Sequence, residues 1–236
     1  MITKNQIKLI KSLSSKKNRV KHQLFVVEGE KNIAELFTSD YEIFFLFANS
    51  DWIDMNPNKV AIRVTNTELK RISNLNNPNK VLALVRMKNN IDISIVGRTL
   101  VLDNINDPGN LGTIVRICDW FGINNIVCSI NTVDCYNPKV VQSAMGSLFR
   151  LNIVYTNLLE YLKDVKSPIF GAYIHGDNVK EISFPKNMHL VMGNEATGIS
   201  NDLSALITNR VKIKNIGNKT ESLNVAMATS ILLYEI

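Results

Sequence analysis

The sequence lacks the glycine-rich signatures of the most common nucleotide-binding folds. None of its 11 glycines stands in a Gly-x-Gly-x-x-Gly, Gly-x-x-x-x-Gly-Lys-Ser/Thr or Gly-x-Ser-x-Gly pattern. The first absence argues against an ordinary dinucleotide site and against a methyltransferase with a glycine-rich first turn, and the second argues against a P-loop ATPase. The third argues against a hydrolase with a nucleophile elbow.

Long apolar runs and paired cysteines are also missing. No run approaches the ~20 apolar residues that a membrane-spanning helix needs, and the first residues lack the apolar core of a signal peptide. We therefore expect a cytoplasmic protein. The cysteines and histidines show neither a Cys-x-x-Cys pair nor metal-ligand spacing, so we expect packed, reduced thiols and no metal site. These residues are Cys118, Cys128, Cys135, His22, His175 and His189.

The positive charge is concentrated near the amino terminus. The chain has a net charge of +6, and residues 1–31 alone hold eight basic and two acidic side chains. A basic patch on an otherwise neutral chain is typical of a protein that binds a phosphate backbone, although a solvated helix face would show the same pattern. We therefore predict RNA contacts by Lys16, Lys17, Arg19 and Lys21.

Strands alternate with helices in both halves of the chain. Residues 1–86 predict a small α/β domain, with a helix over 3–13, a polar break at 14–18 and a loop at 49–58. A polar stretch at 87–97 predicts a linker. Residues 98–236 predict six strands with helical crossovers, which indicates a mostly parallel sheet covered on both faces. The six strands are predicted at 99–102, 125–130, 153–154, 169–174, 189–192 and 211–213.

Three polar clusters follow strands of the second half. They are Asn104-x-x-Asp107-Pro108-x-Asn110-x-Gly112-x-x-x-Arg116, Gly193-Asn-Glu195-Ala-Thr-Gly198, and Gly217 through Ser222-Leu-Asn224. In an open α/β sheet, ligands bind outside the carboxyl ends of the strands. We therefore predict that the last two clusters hold a nucleotide-like cofactor, and that Asn110 also caps the helix that follows it.

At these clusters the sequence resembles the SpoU–TrmH family of the SPOUT superfamily, the RNA ribose 2′-O-methyltransferases. The family's first motif stands complete at 104–116, its Gly-x-Glu-x-x-Gly motif begins at Gly193, and its Ser-Leu-Asn-Val motif begins at Ser222. The resemblance covers roughly residues 98–236. Residues 1–86 resemble, more loosely, the ribosomal-protein-like α/β/α domain that many members carry for binding their RNA substrate.

The resemblance implies a trefoil-knotted fold, a homodimer with a shared active site, and S-adenosylmethionine as cofactor without a metal. It also implies which residues hold the cofactor, largely through backbone groups: Gly193, Ile213 and Leu223, with Met192, Asn194 and Ile216 nearby. The implied catalytic set is Arg116, Asn110, Glu195, Ser222 and Asn224.

The expected roles follow from the chemistry of methyl transfer, which needs two aligned reactants and help in removing a hydroxyl proton. Arg116 would grip phosphate and lower the pKa of the ribose hydroxyl, because a guanidinium is a poor base. It lies on an otherwise apolar predicted helix face, where an unpaired buried charge would be costly. Glu195 would bind Arg116 or position the shared site, and Ser222 and Asn224 would shape the third loop.

The third motif departs from the family pattern. It reads Ile213-Lys-Asn-Ile-Gly217, without the usual proline and methionine. Four residues, instead of the usual three, separate Gly217 from Ser222. We expect an enzyme acting on ribosomal RNA, because a separate basic domain suits a folded RNA recognised by shape. Two alternatives stay open: a tRNA 2′-O-methyltransferase, and a non-catalytic RNA-binding or ribosome-assembly factor on the same fold.

Overall fold

A computed structural model of the protein describes residues 2–88, 97–217 and 219–236. Most of the predicted linker, residues 89–96, lies outside the described residues, as does Asn218 in the third loop. The chain divides into two compact units, Met1–Asn90 with Asp134–Phe149, and Ile91–Val133 with Arg150–Ile236. The predicted boundaries did not anticipate that residues 134–149 pack with the first unit. As functional boundaries, 1–86 and 98–236 stay predictions.

The first unit is built on a four-stranded sheet. Its strands are β1 (Leu24–Glu28), β2 (Ile43–Ala48), β3 (Ile62–Arg63) and β4 (Val81–Arg86), in the spatial order β1-β4-β2-β3. Strand β4 runs antiparallel to β1 and β2, whereas β3 runs parallel to β2. Its helices are α1 (Lys4–Ser12), α2 (Lys16–His22), α3 (Glu30–Phe37), α4 (Ser50–Met55), α5 (Asn66–Ile72) and α7 (Pro138–Ala144), followed by a 3-10 turn at Ser147–Phe149.

Two short helices of this unit correct the sequence analysis. The predicted polar break at 14–18 is only a turn, after which α2 begins at Lys16. The predicted loop at 49–58 contains α4, whose N-cap Asn49 accepts a hydrogen bond from the Trp52 backbone N–H at 3.0 Å. Capping and the burial of Trp52 stabilise a helix that is too short and too polar to show a clear periodicity.

Arg19 is a buried structural residue, so the prediction that it contacts RNA is wrong. Its side chain is almost fully buried, and its Nε and Nη2 donate to Asp134 Oδ2 at 2.9 and 2.7 Å. Its Nη1 donates to the carbonyls of Leu13 and Ser14, both at 2.8 Å. The guanidinium therefore donates its hydrogen bonds to groups of the protein itself and links α2 to the 134–149 segment. The other predicted RNA contacts, Lys16, Lys17 and Lys21, are exposed on α2.

The second unit contains the predicted parallel sheet. Its strands are β5 (Arg98–Leu102), β6 (Asn125–Ser129), β7 (Asn152–Thr156), β8 (Ile169–Asn178), β9 (Met188–Met192) and β10 (Asn209–Lys212). They stand in the order β10-β8-β9-β5-β6-β7, and all five pairings are parallel. The α/β fold class is confirmed, while the trefoil knot stays a prediction. The helices are α6 (Pro108–Trp120), α8 (Leu158–Lys163), α9 (Asn201–Ser204) and α10 (Val225–Glu235), with a 3-10 turn at Val179–Glu181.

The centre of this sheet is buried, as expected for strands covered on both faces. Every residue of β9 is buried, as are all but the first of β5 and all but the last of β6. In the part of the chain that the structure describes, none of the three cysteines forms a disulfide and all three are buried, which confirms packed thiols. Burial raises the pKa of Cys118 and of Cys128. Within the described residues, no helix is long and apolar enough to cross a membrane.

His189 is the buried histidine of β9. Its Nε2 lies 2.8 Å from the Tyr161 hydroxyl and its Nδ1 lies 3.0 Å from the Ser167 hydroxyl. Burial lowers the pKa of His189 to about 4, because an imidazolium would lose its hydration there. Both ring nitrogens have a hydrogen-bond partner, so His189 has a structural role in the core.

This histidine should make the folded state sensitive to acid. As pH falls from 6.5 towards 4, His189 becomes protonated in the unfolded chain but stays neutral in the folded protein. The free energy of unfolding therefore falls. We expect this residue to remove about 2 kcal/mol of unfolding free energy between about pH 7 and pH 4.5. Urea unfolding of His189→Gln should show a flatter pH dependence, whereas the exposed His22→Gln should match the wild type. Equal slopes in all three proteins would contradict the assignment.

Candidate active site

The three polar clusters predicted from the sequence follow strands at one edge of the parallel sheet. The first loop follows β5, the second follows β9, and the third follows β10 and leads into α10. Strands β5 and β9 are neighbours in the sheet, and β8 separates β9 from β10. All of these strands are parallel, so their carboxyl ends share one edge.

The side chain of Asn110 joins all three loops. Its Nδ2 donates to Glu195 Oε1 at 2.5 Å, and its Oδ1 accepts a hydrogen bond from Asn224 Nδ2 at 3.0 Å. An asparagine amide carries a donor and an acceptor side by side, so a single residue can hold a carboxylate and a second amide together. Three catalytic residues predicted from the sequence are therefore in direct contact.

The prediction that Asn110 caps its helix is wrong. The cap is Asp107, whose carboxylate accepts from the Asn110 backbone N–H at 2.8 Å, with Pro108 in the first turn. Proline suits this position because the first helical N–H has no partner within the helix. The Asn110 side chain is thereby left for the bridge. Asn224 does act as a cap, accepting from the Ala226 backbone N–H at 3.0 Å at the start of α10.

The second loop is a tight turn closed by its own backbone. The Asn194 N–H donates to the Gly198 carbonyl at 3.1 Å, and the Gly198 N–H donates back at 2.9 Å. A Cβ atom on Gly193 would lie 2.2 Å from the Gly198 carbonyl carbon and from the Ile199 nitrogen. Such distances are impossible, so the turn requires glycine at 193.

The Asn194 side chain fastens this turn to the first loop. Its Nδ2 donates to the Asn104 carbonyl at 2.8 Å, and its Oδ1 accepts from the Ala196 N–H at 2.9 Å. Both ends of the amide are used within the protein. Because its backbone N–H and carbonyl are also paired with Gly198, Asn194 chiefly shapes the second loop.

Asp103 belongs to the site, although the sequence analysis missed it. This carboxylate is only 3% exposed. Its Oδ1 accepts from Asn104 Nδ2 at 2.9 Å, and its Oδ2 accepts from the Ser200 backbone N–H at 2.8 Å. It thus ties the far end of the second loop to the first loop. The available signal was an acidic residue placed directly after an apolar strand, where a buried charge needs a structural purpose.

Arg116 and Ser222 are exposed. The expectation that Arg116 would be a buried charge is wrong, because it lies on the solvent side of α6. Glu195 contacts Asn110 and forms no ion pair with Arg116. Within residues 2–88, 97–217 and 219–236, no hydrogen bond or ion pair engages the side chains of Arg116 and Ser222. Both are available to a ligand.

The residues predicted to hold a cofactor differ in their accessibility. Met192 ends β9 and is buried, and Ile213 is half-buried. Ile216 and Leu223 are 88% and 49% exposed. Asn215 Nδ2 donates to the Thr220 carbonyl at 2.9 Å, which closes the third loop on itself. Among the described residues, the backbone N–H groups of 214–217 donate no hydrogen bond, so they are open to a ligand.

Breaking the Asp103 clamp should loosen the cofactor site. Asp103→Asn turns one acceptor into a donor that faces another donor, and Ser200→Pro deletes the matching N–H at a residue whose φ of −59° suits proline. We expect each variant to weaken S-adenosylmethionine binding about tenfold, measured by calorimetry without RNA.

Ser200→Ala is the matched control, because it keeps the backbone N–H and should bind within about twofold of the wild type. The double variant should cost little more than either single variant, since both remove one interaction. Lower thermal stability with unchanged cofactor affinity would show that the clamp serves folding alone.

Comparison with known proteins agrees with this geometry. The chain matches the SpoU rRNA Methylase family over residues 97–234 and the MRM3-like substrate binding domain over residues 4–83. It is 28% identical over 241 residues to the 23S rRNA (guanosine(2553)-2'-O)-methyltransferase RlmP of Bacillus subtilis (strain 168). That match covers 99% of this chain and 96% of that protein.

Several solved structures resemble the whole chain, among them the following two. One, from Porphyromonas gingivalis and assigned to the TrmH family of RNA methyltransferases, has a TM-score of 0.92 and 34% identity, covering 100% of this chain and 98% of that one. The SpoU methyltransferase AviRb of Streptomyces viridochromogenes, solved with its cofactor AdoMet, has a TM-score of 0.87 and 26% identity, covering 99% and 97%. The chain belongs to the SpoU rRNA methylase family.

Proposed function

We propose that the protein transfers a methyl group from S-adenosylmethionine to a ribose 2′-hydroxyl of ribosomal RNA. The observation that carries this proposal is the Asn110 amide, which binds Glu195 and Asn224 and so unites all three family motifs in one site. The relative from Bacillus subtilis is named as an enzyme of this reaction on 23S rRNA.

The second and third loops fit the cofactor. Gly193 leaves no room for a side chain, and the open N–H groups of 214–217 offer backbone donors beside the apolar side chains of Ile216 and Leu223. When bound, S-adenosylmethionine supplies a methyl group on a sulfonium that departs as a neutral thioether. Gly193, Ile213 and Leu223 would hold it through backbone groups, with Met192, Asn194 and Ile216 beside them.

Arg116 binds the RNA at the reacting nucleotide. Its guanidinium is exposed, has no protein partner among the described residues, and stands on the same 13-residue helix as Asn110. A guanidinium binds phosphate in a bidentate manner, and its charge stabilises a ribose oxygen that is losing its proton. It does not act as the base, because it holds its own proton too strongly.

The other motif residues position the site. Asn110 holds the Glu195 carboxylate against the first loop, which fixes the second loop relative to α6. Asn224 fixes the start of α10 while it contacts Asn110. Ser222 is exposed in the third loop, where its hydroxyl can donate to the RNA or to the cofactor.

We further propose a homodimer formed through α10, in a protein that works in the cytoplasm. One face of α10 is buried, yet Met227, Ile231 and Tyr234 are 58%, 36% and 75% exposed. Their spacing of four and three residues places them on one side of the helix. Trp120, at the end of the neighbouring α6, is 85% exposed. Such a cluster of exposed large apolar side chains marks an interaction surface.

Arg116→Ala should abolish methyl transfer while leaving cofactor affinity within about twofold, because the guanidinium acts on RNA and not on the cofactor. The measurement is incorporation of label from S-adenosylmethionine into unmodified ribosomal RNA, with the labelled ribose then mapped. Arg116→Lys, which keeps the charge without the bidentate geometry, should retain only a small part of the activity.

Label on a base instead of a 2′-oxygen, or wild-type turnover by Arg116→Ala, would contradict the proposed reaction or the role of Arg116. Transfer to tRNA transcripts but not to ribosomal RNA would support the tRNA enzyme. Cofactor binding without transfer to either RNA would support the non-catalytic factor.

Ile231→Lys should convert the dimer into a monomer, because the new charge would be buried in an apolar interface. Light scattering should give twice the chain mass of 26.6 kDa for the wild type and the single mass for the variant. Val60→Lys, at an exposed apolar residue of the first unit, should remain dimeric. A monomeric wild-type protein would contradict the proposal.

A further inference from the structure

The first unit contains a groove that the proposed reaction does not use. Strands β1 and β2 both run antiparallel to β4, so they run parallel to each other and to β3, and the three end at the same edge of the sheet. The groove lies at this edge and has a volume of about 370 Å³. We call it the edge groove. It is lined by Asn49, Asp51, Asn66, Leu69, Lys70, Pro78, Asn79 and Lys80.

A buried amide orients one wall of the edge groove. Asn49 is only 6% exposed, and its backbone N–H donates to the Lys80 carbonyl at 3.0 Å. Its Nδ2 donates to Asn66 Oδ1 at 2.9 Å. The Asn66 Nδ2 is therefore left as a donor, and no hydrogen bond in the described part of the chain uses it.

A buried carboxylate anchors the segment from Ser73 to Lys80, whose last three residues line the groove. Glu28 is 6% exposed and accepts hydrogen bonds from the Ser73 hydroxyl, from the Asn74 backbone N–H at 2.8 Å and from Asn74 Nδ2 at 3.1 Å. Buried carboxylates are retained where several donors compensate them. The segment that presents Asn79 is thus anchored at its base.

Asn79 packs against the backbone of Gly29. A Cβ atom at Gly29 would lie 3.3 Å from Asn79 Nδ2, and Gly29 has a φ of +99°, which side chains rarely adopt. Glycine at this position therefore lets the Asn79 amide lie close to the sheet edge. No hydrogen bond of the described residues uses that amide.

We propose that the edge groove holds one unstacked nucleotide of the RNA substrate, an inference that rests on the proposed function. The unused Nδ2 donor of Asn66 and the Asn79 amide, which carries both a donor and an acceptor, offer the hydrogen-bonding groups that a base edge requires. The half-buried ring of Pro78 suits the face of a base or a ribose. Lys70 and Lys80 suit the phosphates on either side.

The charge balance of the edge groove favours a nucleotide over a simple anion. Asp51 lines the groove, and Lys80 lies 4.0 Å from Glu30, so the two lysines are partly offset. A site for free phosphate would need an excess of positive charge, whereas a base with exocyclic amino groups benefits from the Asp51 carboxylate. Unpaired bases in RNA loops are the usual targets of sequence-specific recognition.

The decisive variants alter the edge groove and its immediate surroundings in matched pairs. Lys70→Gln removes a groove cation, and Arg71→Gln removes the next, exposed cation of α5, which does not line the groove. Asn79→Ala removes a groove amide, and Asn77→Ala removes an exposed amide of the same segment outside it. All four residues are exposed, so folding should be preserved, and thermal unfolding checks this.

Affinity is measured with the full chain and fluorescent fragments of an unmodified 23S rRNA transcript, using the fragment that the wild type binds most tightly. Lys70→Gln and Asn79→Ala should each raise the Kd about tenfold, and the Arg71 and Asn77 controls should stay within about twofold. Equal weakening by Lys70→Gln and Arg71→Gln would indicate diffuse charge attraction and overturn the proposal. Unchanged RNA affinity in all four variants would also overturn the proposal, and would be expected if the groove binds a protein partner instead.

Photocrosslinking of the unaltered protein gives a second measurement. Transcripts that contain thiouridine should crosslink to peptides from residues 66–80, and crosslinks confined to α2 would overturn the proposal. A wild-type protein that binds no ribosomal RNA would overturn it as well. RNA binding and groove crosslinks without methyl transfer would instead overturn only the proposed reaction.

Discussion

The candidate active site depends on one side-chain amide. Asn110 donates to Glu195 and accepts from Asn224, so three segments that are far apart in the sequence converge on a single residue. The contact is possible because Asp107 caps α6, which leaves the Asn110 side chain available to bind Glu195 and Asn224. An aliphatic residue of similar size could fill the space but could not satisfy a carboxylate and an amide at once.

Around this contact, the loops are held by hydrogen bonds to their own backbone. Asp103 and Asn194 connect the first and second loops at two points, and Gly193 allows the backbone to turn where no side chain fits. The reactive surface, by contrast, is left open: Arg116 and Ser222 are exposed. A rigid support beneath free polar groups is the arrangement that preorganised catalysis requires.

In the first unit, charge alone was a poor guide to RNA contacts. Arg19 looked like one more cation of a basic segment, yet its guanidinium is consumed by Asp134 and two carbonyls. The same unit leaves Asn66 and Asn79 with unused amide groups at the carboxyl edge of its strands. Hydrogen-bond accounting therefore separates structural from available polar groups, which net charge cannot do.

In the second unit, the sequence by itself determined the six strands, their mostly parallel arrangement and the three motif loops, because apolar runs, proline and glycine act locally and the matched motifs have a fixed spacing. It did not show that Asp107 rather than Asn110 caps α6, since both residues can cap. It also missed Asp103, the short helix α4 and the burial of Arg19. For Asp103 and Arg19 the deciding partner is a distant residue, Ser200 or Asp134, and only tertiary structure brings such pairs together. Helix α4 depends on the burial of Trp52, which the tertiary structure also decides.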